Sequence, residues 1–99
     1  VNFTVRWATS ALADREGIFR YLNREAGFQI AQQTDDKFIS MSRLLAENPL
    51  MGVATVAGEH RRRLTVVHFS FIMVYAIEAQ QIAVLRVLHT SRRVADFYR

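Results

Sequence analysis

The opening residues alternate. Phe3, Val5 and Trp7 are apolar while Thr4 and Arg6 are polar, the period-two pattern of a strand with one buried face. Thr9 and Ser10 then supply hydroxyls suited to cap a helix. Ala11, Ile18 and Leu22 mark its apolar side, with Asp14, Arg15 and Arg24 mostly off it. Gly27 ends that helix, because glycine enters left-handed geometry cheaply. The next segment has the clearest periodicity in the chain. Ala31, Thr34, Phe38, Met41 and Leu45 follow steps of three and four, which line one side of a second helix. Asn48-Pro49 stops it, since the residue before proline is driven out of helical geometry. Two helices joined at one glycine predict an antiparallel hairpin, and its shared apolar face needs a sheet to cover it.

Beyond Gly52 the period changes. Val53 to Val56 reads as a short strand or an extended loop, and Gly58-Glu59 as a turn. Three strands follow: Arg62 to Val67, Phe69 to Glu78, and Ile82 to His89. In the middle one, Phe69, Phe71, Met73, Tyr75 and Ile77 share a face, and Ser70, Ile72, Val74 and Ala76 share the other. Both faces are largely apolar, as in a strand central to its sheet. The Ala79-Gln80-Gln81 link suits an antiparallel hairpin. The expectation is an α+β fold of order β-α-α-β-β-β. An N-terminal strand and an antiparallel helical hairpin pack with a three-stranded antiparallel meander in one domain spanning residues 1–99.

Charge changes this picture by locating it. Residues 1–49 carry six basic and six acidic side chains; residues 50–99 carry seven and three, so the whole +4 excess lies in the second half. Lys37 is the one lysine, and every other basic side chain is arginine, whose planar fork matches carboxylate and phosphate. An anionic partner is the implied counterpart. Cysteine is absent, which excludes disulfides and thiolate metal sites. His60, His68 and His89 have no tight ligand spacing, so no metal or other cofactor is expected. The apolar stretch 64–77 is interrupted by Thr65, His68 and Ser70 and is too short to span a bilayer, so no membrane association is expected. No signal-like segment opens the sequence, and a cytoplasmic location is the expectation.

Four features carry candidate chemistry. Arg61, Arg62 and Arg63 enter the first meander strand. Arg86 interrupts an apolar strand, on the side of Val84 and Leu88 by simple alternation. His89 ends that strand with Arg92 and Arg93 after it, and Asp96-Phe97-Tyr98-Arg99 close the chain. Strand ends can meet in an antiparallel sheet, so these cations can converge to clamp phosphate, with Tyr98 or His89 moving a proton. The same groups have structural uses. A triple arginine protects a sheet edge, and an arginine in an apolar strand needs an acidic or carbonyl partner.

The sequence resembles the ParE/RelE superfamily of bacterial toxins from type II toxin–antitoxin modules. The likeness lies in the early Val5-Arg6-Trp7 strand, the hairpin ending Leu45-Ala46-Glu47-Asn48-Pro49-Leu50-Met51-Gly52, and the Arg62-Arg63-Leu64 strand. It continues in Ile72-Met73-Val74-Tyr75 and in Val84-Leu85-Arg86-Val87-Leu88-His89 followed by Arg92-Arg93. The resemblance implies a toxin neutralised by a cognate antitoxin in a hetero-oligomer, the antitoxin laying an amphipathic and often acidic segment over it.

Its branches imply different actions. In the RelE-like branch, a metal-independent endoribonuclease cuts mRNA on the ribosome. Its pattern places a first-strand cation on Arg63 and a later arginine and tyrosine on Arg92 and Tyr98, with His89 as a further acid–base candidate. Two other cationic positions of that pattern fall on Thr65 and Ile72. The ParE-like branch blocks DNA gyrase by binding and is not an enzyme. It shares the Arg-Arg-Leu and Leu-Arg-Val-Leu-His runs more fully, and that reading is favoured. Arg61, Arg62, Arg63, Arg86, Arg92 and Arg93 would then form its binding surface.

Overall fold

The computed structural model describes residues 3–90. The chain runs β1 (Thr4–Trp7), α1 (Thr9–Ala26), α2 (Phe28–Glu47), β2 (Val53–Thr55), β3 (Gly58–Val66), β4 (Phe71–Glu78) and β5 (Gln81–His89). The helices form the expected hairpin across Gly27, whose φ of 98° serves both the end of α1 and the start of α2. Arg15 fastens the two together. Its guanidinium donates to both carboxylate oxygens of Asp35, at 2.9 and 2.8 Å, and lies 4.5 Å from the centre of the Trp7 ring.

The sheet has five strands in the order β1-β5-β4-β3-β2. β2, β3, β4 and β5 are antiparallel neighbours, but β1 pairs with β5 in parallel, Thr4 opposite Gln81 and Trp7 opposite Val84. The sheet is therefore mixed and not antiparallel throughout. A parallel pair needs a long crossover connection, and the segment from α1 through β4 supplies it between β1 and β5.

The main core lies between the helices and one face of the sheet. Phe38, Met41 and Leu45 of α2 and Ala11 of α1 meet Leu64, Val66, Phe71, Met73, Tyr75, Ile82, Val84 and Val87. The opposite face carries a separate cluster of Ile72, Val74 and Leu88, with Leu85 against it. β4 thus has two apolar faces because it is the middle strand of the five.

Three local expectations change. Ala8 and not Thr9 or Ser10 precedes α1, without a side-chain cap; the Ser10 hydroxyl instead donates to the Leu85 carbonyl, at 2.8 Å. β2 is a true strand, and Gly58 begins β3 instead of sitting in the turn before it. β4 starts at Phe71, because residues 67–70 form a turn with His68 and Ser70 at φ of 71° and 58°. No glycine or asparagine announces that turn.

Gly17 sits inside α1, where an added Cβ would meet nothing within 4 Å. An interior helical glycine costs roughly 0.5–1 kcal/mol against alanine. Gly17→Ala is therefore expected to raise the thermal midpoint followed by circular dichroism. A lowered midpoint would contradict the open surroundings of this position.

Candidate functional site

Strand alternation divides the triple arginine. Arg62 faces the helix side of β3 in register with Tyr75, while Arg61 and Arg63 face the other side opposite Ala76 and Val74. Arg62 is only 8% exposed. Its guanidinium donates to the carbonyls of Glu59 (2.9 Å) and Gly52 (2.7 Å), more distantly to that of Leu50 (3.4 Å), and to the Glu59 carboxylate. This side chain is committed within the fold and is not presented to an anion. Its neighbour Tyr75 completes the lock: the phenol donates to the Pro49 carbonyl at 2.6 Å and accepts from the Gly52 N–H at 3.0 Å. Burial pushes the Tyr75 phenol above its ordinary value, opposed by the Gly52 hydrogen bond and the positive charge of Arg62.

Of the three consecutive arginines, Arg61 and Arg63 are the two on the outer face. Arg63 is exposed and stands in register with Val53 of β2 and Val74 of β4. Arg61 is half-buried, with an Nε that has no hydrogen-bond partner. Next along this face, Thr65 lies directly opposite Ile72. The two further cationic positions of the nuclease-like pattern, which fall on Thr65 and Ile72, are thus cross-strand neighbours, one a hydroxyl and the other a hydrocarbon.

Arg86 departs from simple alternation. The β4–β5 register shifts between Val74 and Tyr75, so Val74 faces Arg86 but Tyr75 faces Val84, leaving Leu85 as an extra residue. Val84 consequently belongs to the helix-side core and Leu88 to the outer cluster, so the two do not share a side with Arg86 between them. The Arg86 guanidinium meets Asp14 of α1 through two hydrogen bonds of 2.8 and 3.0 Å. Asp14 also accepts from the Val87 N–H at 2.9 Å. β1 stops opposite Val84, so Asp14 and Ser10 satisfy strand groups that β1 no longer reaches. The bond to Asp14 raises the Arg86 guanidinium above its usual value. Asp14 was not a sequence candidate; the needed signal was only that an arginine in an apolar strand must find an acid.

His89 stands opposite Phe71 and meets its ring edge-to-face, centroids 5.2 Å apart. It lines a groove of about 670 Å³ together with Asp14, Gly17, Tyr21, Phe69 and Arg86. Phe71 belongs to the helix-side core, whereas Arg63 faces the outer cluster. The structure therefore places His89 and Arg63 on opposite sides of the sheet. Arg92, Arg93 and Tyr98 lie outside the described residues. Among the described residues, no three His, Cys, Asp or Glu side chains gather as metal ligands, and no helix is long and apolar enough to cross a membrane.

Comparison with known proteins follows this geometry. The family model for the ParE toxin of type II toxin–antitoxin system, parDE, matches residues 5–94. The fold is similar to a solved structure of the chromosomal ParDE TA system from P. aeruginosa, with a TM-score of 0.78 and 18% identity over 90% of this chain and 97% of that one. It is also similar to the YoeB/ParE toxin from Agrobacterium tumefaciens, with a TM-score of 0.58 and 15% identity over 87% of this chain and 96% of that one. At these identities the two structures bear on the fold alone. No curated protein matches the sequence.

Proposed function

Because the chain belongs to the ParE toxin family of type II toxin–antitoxin systems, we propose that it arrests growth by binding and blocking DNA gyrase. In this reading it acts in the cytoplasm, carries out no bond-breaking step of its own, and is neutralised by a cognate antitoxin. The antitoxin partnership itself follows from the family; the gyrase target is the finer step.

One observation carries that step. Where the nuclease-like pattern has two further cations besides those on Arg63 and Arg92, the outer face has Thr65 against Ile72. Positioned charges facing a scissile phosphate each contribute several kcal/mol of transition-state stabilisation, on the order of 3 by analogy with oxyanion donors. An acid or base must also stand within hydrogen-bond reach of the group it serves, and His89 does not share a face with Arg63. A surface of this kind favours docking over catalysis.

The test is DNA supercoiling by purified gyrase. Added toxin is expected to reduce supercoiling, and pre-mixing with antitoxin to restore it. Undiminished supercoiling with toxin in molar excess would overturn the reading. Codon-position cuts in translated messages, mapped by primer extension after induction, would instead favour the RelE-like nuclease.

A further inference from the structure

Arginines that sink into this fold take a carboxylate with them. Among the described residues, the arginines that are buried or half-buried are Arg15, Arg61, Arg62 and Arg86. Arg15 holds Asp35, Arg62 holds Glu59 and Arg86 holds Asp14. Arg61 is the exception. Its Nε is buried without an acceptor, and no ion pair joins its guanidinium to any described residue.

The register explains the gap. Arg61 stands opposite Ala76, with Ala83 one strand further and Arg6 beyond it, so this row of the outer face offers no acid. The carboxylates on either side are engaged elsewhere. Glu59, two positions earlier on β3, pairs with Arg62; Glu78, two positions past Ala76 on β4, pairs with Arg6 at 3.2 Å. A half-buried cation without a counter-charge destabilises the chain that carries it. A buried N–H without an acceptor points to a group supplied from outside.

We propose that Arg61 anchors a carboxylate side chain of the antitoxin, which completes the pair that this fold leaves open. The inference rests on the antitoxin partnership that comes with the family, and not on the gyrase target. Charge makes the occupant an oxyanion, because a guanidinium only donates and residues 50–99 carry seven basic side chains against three acidic ones. Burial favours a protein side chain over nucleic acid. The Arg61 Nε has no exposed surface to offer a phosphate backbone, and the chain meets its comparable arginines with single Asp or Glu side chains. An unpaired charge is offset for most of the protein's lifetime only by the partner that neutralises it, which is the antitoxin and not the target.

Titration calorimetry of the full-length toxin with its cognate antitoxin tests the proposal. Arg61→Met keeps much of the hydrocarbon stem and removes the charge. It is expected to weaken antitoxin binding about 10- to 30-fold, while the toxin's own thermal midpoint stays unchanged or rises. Replacing the antitoxin's Asp and Glu residues singly by Asn and Gln should find one that costs as much, and nothing further beside Arg61→Met. Unaltered affinity, or antitoxin replacements that all add in full to Arg61→Met, would overturn the proposal. Asp96, outside the described residues, is the rival within the chain. A midpoint lowered equally by Arg61→Met and Asp96→Asn, and no further by both, would make Asp96 the partner and overturn it. Loss of duplex-DNA binding or of the gyrase block at unchanged antitoxin affinity would do the same. Undiminished supercoiling with the parent toxin, by contrast, removes the gyrase target and leaves this pair standing.

Discussion

Gly52→Ala is expected to destabilise the protein by about 3–5 kcal/mol, the sum of overpacking and broken hydrogen bonds. A Cβ at Gly52 would stand 2.6 Å from the Arg63 carbonyl oxygen and 2.7 and 2.8 Å from Oη and Cε1 of Tyr75. The carbonyl belongs to β3 and cannot yield without opening the sheet. Tyr75 is fully buried and cannot swing away, and its hydroxyl is held by Pro49 and Gly52. Small domains hold only about 5–15 kcal/mol in total, so this one methyl consumes a large share. Urea denaturation measures it. A midpoint within error of the parent would show that the loop 48–52 does not depend on this close approach.

The same lock sets an alkaline limit. The Tyr75 phenol is raised in the folded state relative to its ordinary value of 10.0, so above that pH the unfolded chain gives up this proton more readily than the folded one. Stability from this group is undiminished below pH 10 and falls as the pH rises beyond it. Tyr75→Phe should flatten that part of the curve while lowering stability at neutral pH, because Pro49 and Gly52 lose their partner.

The second large effect is expected at Asp14. Asp14→Ala removes both bonds to Arg86 and the acceptor of the Val87 N–H in one step. Breaking a buried pair costs about 3–5 kcal/mol. The Arg86 side chain is 34% exposed, so water offsets part of that, and about 2–3 kcal/mol is expected. Asp14→Ala combined with Arg86→Met should recover much of the loss, since no unpaired charge remains. Equal instability of the single and double variants in urea would place the cost in the Val87 N–H alone.

The helices were legible because their periodicity is unbroken. Ala31, Thr34, Phe38, Met41 and Leu45 all proved buried along α2. The meander was legible for the same reason, since Phe71, Met73 and Tyr75 face the helices and Ile72 and Val74 face away. Alternation failed at the β5 bulge, because one extra residue reverses every later side chain and leaves no compositional mark. The turn at 67–70 was hidden likewise, with His68 and Ser70 taking left-handed geometry. The candidate site was least legible. A run of three arginines shows how many cations are present, but the pleat decides which are offered, and it turned Arg62 inward to hold backbone carbonyls. Its cross-strand neighbour Tyr75, which anchors the same Gly52, was read only as one residue of a central strand's face.

The parallel pairing of β1 with β5 has a consequence for synthesis. Thr4 finds its partner at Gln81, so β1 waits for β5 to leave the ribosome before it can be placed. Pairings so distant in sequence form late and slow the final assembly. A nascent chain truncated ahead of β5 therefore has no seat for β1, and the five-stranded sheet cannot close until β5 has been made.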